Sequence, residues 1–176
     1  MDVYAAAERM MGMDDRVWDR HANPLSGWGR ALGGPLLILA VWSRVWLGWW
    51  ALVPVGLAVL WTALNPRLFP PPADYGGWMS RAVLGERIWL ARDRFDVPDH
   101  HRTTANLATA LALIGLAPLA FGLWALDAGW TAAGAILCFG AKFWFLDRMV
   151  WLHADVTGTL PGTPLPDPVP FQGDDR

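Results

Sequence analysis

The sequence predicts an all-α integral membrane bundle: four transmembrane helices with one or two interfacial amphipathic helices. Three observations carry that prediction. The 14 basic and 16 acidic residues leave the windows 31–43, 45–66, 103–126 and 128–141 without a charge. Charged residues make up 17% of the chain, below the roughly 25% of soluble domains, and hydrophobic residues make up 54%. The arginines gather on one side of the predicted spans, and ten of the 13 tryptophans gather towards their ends.

Residues 2–20 read as an amphipathic helix, with Val3, Ala7, Met10, Val17 and Trp18 at helical spacing opposite Glu8, Asp15 and Asp19. It is expected along the membrane surface. The N-terminal stretch MDVYAAAERMMGMDD lacks a basic region followed by an apolar core, so a cleaved signal peptide is not expected. The first span starts with Asn23 as N-cap and Pro24 in the first turn and runs to about Trp42, carrying Arg30. An alternative remains open: a re-entrant hairpin over 31–64, broken at Gly33-Gly34-Pro35. The second span is Val45 to Leu64, with Pro54 inside it.

Asn65-Pro66 and Pro70-Pro71-Pro72 end that span and begin an extended stretch. A second amphipathic helix is expected over 78–92. Its Arg81, Arg87 and Arg92 read as a contact with anionic lipid headgroups; the other reading, which can coexist with it, is a helix covering the inner mouth of the bundle. Thr103 to Leu126 is the clearest span, 24 uncharged residues where about 20 suffice. The fourth runs from about Gly129 to Leu152 and carries Lys142, Asp147 and Arg148, which are costly at membrane depth. Residues 1–155 therefore read as one membrane-embedded helical domain. Residues 156–176 read as a Pro-rich disordered tail.

Residues 1–30 carry Arg9, Arg16, Arg20 and Arg30. Arg67, Arg81, Arg87, Arg92, Arg94 and Arg102 lie in the middle loop, whereas Arg44 stands alone on the other side. The positive-inside rule then puts both termini in the cytoplasm, in a cell inner (plasma) membrane protein. Trp42, Trp46, Trp49, Trp50, Trp124 and Trp130 fall at the predicted outer interface, and Trp28, Trp61, Trp144 and Trp151 at the inner one.

The net charge of −2 leaves no basic footprint for nucleic acid. Cys138, the single cysteine, excludes an intrachain disulfide and multi-cysteine metal motifs. No Gly-rich phosphate loop or G-x-S-x-G elbow is present, and no cofactor is expected. All four histidines, His21, His100, His101 and His153, fall on the predicted cytoplasmic side, near Asp96, Asp99 and Asp155. Histidine with carboxylate suits zinc or iron, with His100, His101, His153, His21, Asp96 and Asp99 as candidate ligands; interfacial hydrogen-bonding histidines are the plainer alternative. Asp15–Asn23 (DRVWDRHAN) and Asp147–Asp155 (DRMVWLHAD) resemble one another with a one-residue offset. They suggest a polar site of Arg30, Lys142, Asp147, Arg148 and His153 at the inner mouth, or a structural ion pair such as Arg30 with Asp147.

The strings RHANPLSGWGR, LNPRLFPPP, AVLGERIWLAR and AKFWFLDRMVWLHAD, spread over residues 8–155, resemble a family of small prokaryotic integral membrane proteins filed as a domain of unknown function. The resemblance implies a helical membrane bundle and no activity. The expected function is action through lipid or protein-partner contacts at the cytoplasmic face, with a homo-oligomer as one form of partner. The alternatives are a membrane-embedded enzyme acting on a lipid or amphiphile through the histidines and carboxylates, and a small oligomeric transporter.

Overall fold

The computed structural model describes residues 15–163, all of whose regular structure is helical. Most of the predicted N-terminal helix lies outside these residues; its end is α1, Asp15–His21. Trp18 in α1 is buried against Tyr75, Val83 and Leu84, so this turn docks on protein. Next is α2, Pro24–Trp42, which begins as the sequence predicts. The Asn23 side chain accepts from the Leu25 N–H at 2.9 Å and donates to the Pro70 carbonyl at 2.9 Å. The alternative break at Gly33-Gly34-Pro35 is corrected: α2 is continuous through Pro35, as helices tolerate where neighbours compensate the lost donor.

The chain turns back through α3, Arg44–Leu47, and a 3₁₀ turn, Gly48–Ala51, before α4, Leu52–Leu68. The second span therefore begins as a regular helix seven residues later than Val45. Gly48, at φ 55°, supplies the bend. Ser26 Oγ donates to Asn65 Oδ1 at 2.9 Å and Trp61 Nε1 to the Gly29 carbonyl at 3.0 Å, which fixes α2 and α4 as an antiparallel pair.

The middle loop folds into α5, Trp78–Leu90. Of the two readings of this helix, the packing supports the cover over the end of the bundle: Arg81, Ala82, Val83, Leu84, Ile88 and Trp89 are all buried, because α5 is packed against the last helix. Then come α6, Asp99–Ala125, and α7, Ala128–Thr157, joined by a turn in which Leu126 is left-handed and Asp127 Oδ1 accepts from the Trp130 N–H at 2.9 Å. Both run past the predicted span ends, by four residues at the start of α6 and five at the end of α7. The Arg44 guanidinium caps α6 by donating to the carbonyls of Leu123 and Trp124, and so ties the two hairpins together at this end.

Three stretches are long and apolar enough to cross a membrane: Pro24–Asn65, Asp99–Ala125 and Ala128–Thr157. The sequence predicts four; the first stretch is one apolar run bent back on itself, with legs of 19 and 17 residues in α2 and α4. Only 6%, 17% and 33% of the most apolar window of each stretch is buried. Water-facing proteins do not present apolar surface on this scale, whereas lipid solvates it without cost.

Two glycines set the closest helix approaches. A Cβ on Gly134 of α7 would lie 2.2 Å from the Leu119 nitrogen of α6, and one on Gly85 of α5 would lie 1.9 Å from the Met149 carbonyl oxygen of α7. Both obstacles are backbone and cannot rotate away. Gly134→Ala and Gly85→Ala are each expected to cost about 1–3 kcal/mol of stability in detergent through overpacking. Gly140→Ala, where a Cβ meets nothing within 4 Å, should be neutral or stabilising by about 0.5–1 kcal/mol. Thermal unfolding of the three variants checks the order.

Candidate functional site

Apolar spans force ionisable groups to helix ends or into pairs. In the described residues these groups gather at the end opposite Asp127, in three places.

The first is centred on Glu86, the only acidic residue of α5. Its carboxylate accepts from Lys142 Nζ of α7 at 3.2 Å, while Arg30 of α2 adds its field. Burial opposes ionisation of Glu86, but Lys142 and Arg30 outweigh it and hold its pKa below the usual carboxylate value. His21 is buried edge-on to Trp18 at 5.5 Å. Burial, then the charge of Arg30, pushes its pKa down to about 3, so the ring is neutral at ordinary pH. Beside this cluster Trp28 and Phe143 flank Trp78, with ring centroids 6.0–6.5 Å apart, and the Trp78 indole N–H donates to Asp147 at 3.3 Å.

The second place is Arg81, fully buried in α5. Nε donates to the Gly76 carbonyl at 3.1 Å, Nη1 to the Thr159 carbonyl at 3.1 Å and Nη2 to the Thr163 carbonyl at 2.7 Å. The fork thus clasps the segment following α7 and lines an open cleft of about 590 Å³ with Asp74, Trp78, Val150 and Pro161.

The third joins the start of α6 to the end of α7. His101, fully buried, has Nε2 2.7 Å from Asp155 Oδ2, and His100 Nε2 lies 3.7 Å from the same oxygen. The two imidazole centroids are 4.2 Å apart.

The sequence-derived candidates are therefore divided. Of the proposed polar site, Arg30 and Lys142 meet at Glu86, Asp147 binds Trp78, and His153 is buried in α7 with neither ring nitrogen hydrogen-bonded among the described residues. Arg148 lies close enough to act on the charge of His101. Arg30 and Asp147 form no ion pair, because Glu86 supplies the anion. Of the proposed metal ligands, His100 and His101 converge, Asp155 completes their group, and His21, His153, Asp96 and Asp99 stand outside it. Of the lipid-contact arginines, Arg81 is turned inward; Arg87 and Arg92 are half-buried, with Arg92 5.2 Å over the Trp89 ring. The two similar segments also find parallel uses: each buries its histidine, while Asn23 caps α2 and Asp155 holds His101. Glu86 escaped sequence reasoning, although its isolation among the arginines of AVLGERIWLAR was the available signal.

The chain belongs to a family of unknown function (DUF6653), whose model matches residues 3–168. No curated protein and no solved structure matches it.

The pH dependence of stability follows from His21. Its folded pKa of about 3 lies below the unfolded 6.5, so between these values the unfolded chain binds the extra proton. Stability from this group is complete above about pH 6.5 and falls with acidification by about 1.4 kcal/mol per pH unit until the folded pKa. The depressed pKa of Glu86 acts in the same direction at lower pH. His21→Gln should flatten the decline between pH 6.5 and 5 in thermal or denaturant unfolding; an unchanged slope would assign the decline elsewhere.

Proposed function

We propose that this family member is a four-pass inner-membrane protein with both termini cytoplasmic, acting through anionic-lipid and protein contacts at its cytoplasmic face. The observation that carries the reading is the one-sided placement of charge. Glu86 with Lys142, Arg81 with the segment after α7, and His100, His101 and Asp155 share one end, and the other end has Arg44 turned onto the carbonyls of α6. The positive-inside rule then directs the crowded end inward. The legs α2 and α4, at 1.5 Å per residue, are roughly 28 and 26 Å long, close to a hydrocarbon core of about 30 Å, which supports two crossings there. Trp28, Trp61, Trp144 and Trp151, each 38–47% exposed, suit a headgroup belt at the same end. A second reading, a membrane enzyme on a lipid or amphiphile, is favoured by the convergence of His100, His101 and Asp155 alone.

Topology reporters test the frame. A fusion after residue 176 should report cytoplasm and one at Asp127 the opposite compartment; a C-terminus on the far side overturns the four-pass reading. Lipid contact is tested in nanodiscs. Phosphatidylglycerol should raise the melting temperature over phosphatidylcholine alone, since each basic residue near an anionic surface contributes about 1 kcal/mol. Arg87→Gln with Arg92→Gln should reduce that gain. No difference between the lipids would remove the headgroup contact.

A further inference from the structure

We infer that His100, His101 and Asp155 form a binding site for a divalent transition metal of the zinc class. The three offer two imidazole nitrogens and one carboxylate oxygen, all within 4.8 Å of one another. That donor set suits zinc and its first-row neighbours. Ligand atoms about 2.0–2.2 Å from one ion in a tetrahedron lie roughly 3.3 Å apart. The distances to Asp155 Oδ2, 2.7 Å from His101 and 3.7 Å from His100, bracket that value. Small rotations of the exposed His100 and Asp155 side chains would bring all three to an ion.

A His101–Asp155 hydrogen bond uses two of these groups, and His100 brings a second ring nitrogen to the same oxygen. Consecutive residues on a helix point about 100° apart, yet His100 turns its Nε2 to the same carboxylate oxygen as His101. It does so while 62% exposed, where water would satisfy the ring equally well. Asp155 sits in the last turn of α7, at the negative end of its dipole, and Asp99 stands in the first turn of α6, where its charge offsets the positive end of that helix beside His100 and His101. His101 is immobilised by burial, and α6 and α7 are the most extensively packed pair in the fold, so the ligands are carried on a rigid frame. His100 and Asp155 face solvent. The site therefore keeps a coordination position for water or an exogenous ligand, as three-ligand zinc sites do.

The test is independent of the topology above. The full chain, purified in detergent without a polyhistidine tag and stripped of metal, is titrated calorimetrically with Zn²⁺, and Co²⁺ reports coordination through its visible absorption. One equivalent of Zn²⁺ is expected to bind. His100→Ala, at an exposed position that leaves the fold intact, should weaken binding at least about tenfold, as should Asp155→Asn. Asp96→Asn, outside the group, should bind like the parent. No stoichiometric uptake at about 100 µM Zn²⁺, or uptake undiminished in His100→Ala, overturns the site.

Discussion

Gly134 brings α7 within backbone contact of α6, and on this pair the rest of the structure is hung. A Cβ there would meet the Leu119 nitrogen at 2.2 Å, so no other residue permits the approach without moving a helix. In lipid the hydrophobic effect does not press helices together. Close packing of small residues and interhelical hydrogen bonds must do so, and Cys138 Sγ adds one by donating to the Ala112 carbonyl at 3.3 Å. The pair then serves as a rail. Its turn end receives Arg44 from the α2–α4 hairpin, its other half receives α5 through Gly85 and Met149, and its far end brings Asp155 to His100 and His101.

The charges follow from the same geometry. Lys142 lies 14 residues into α7, roughly 21 Å along it, too deep to be left unpaired at low cost. Glu86 answers it because α5 is folded into the bundle, with its core of Ile88, Trp89, Met149 and Leu152. Removing Glu86 would leave Lys142 and Arg30 facing each other near lipid without an anion, a heavier loss than that of a surface ion pair. Arg81 is handled differently. Its planar fork is spent on backbone carbonyls, so the segment after α7 is tied to α5.

The placement of α5 also unites the two amphipathic expectations. Trp18 of α1 packs on Val83 and Leu84, and Trp89 and Ile88 face α6 and α7. The apolar residues that suggest a membrane-surface helix are instead the floor of a small protein core at one end of the spans. A hydrophobic face of this width is satisfied equally by lipid or by other helices, and sequence periodicity does not distinguish the two.

Sequence alone determined the all-helical class, the cap at Asn23 and the apolar stretches, because each depends on local chemistry: absent charge, length, and a side chain within reach of its own backbone. It also determined that the histidines share one end, since helix lengths set which residues lie near the turns. The partners were decided only by tertiary structure. Lys142 pairs with Glu86 from 56 residues away, Arg81 reaches Thr159 and Thr163, and His101 meets Asp155 in place of Asp96 or Asp99. Such pairings depend on the rotation of each helix about its axis and on its depth against its neighbour. Both are set by backbone approach at Gly85 and Gly134, where the informative feature is a missing side chain.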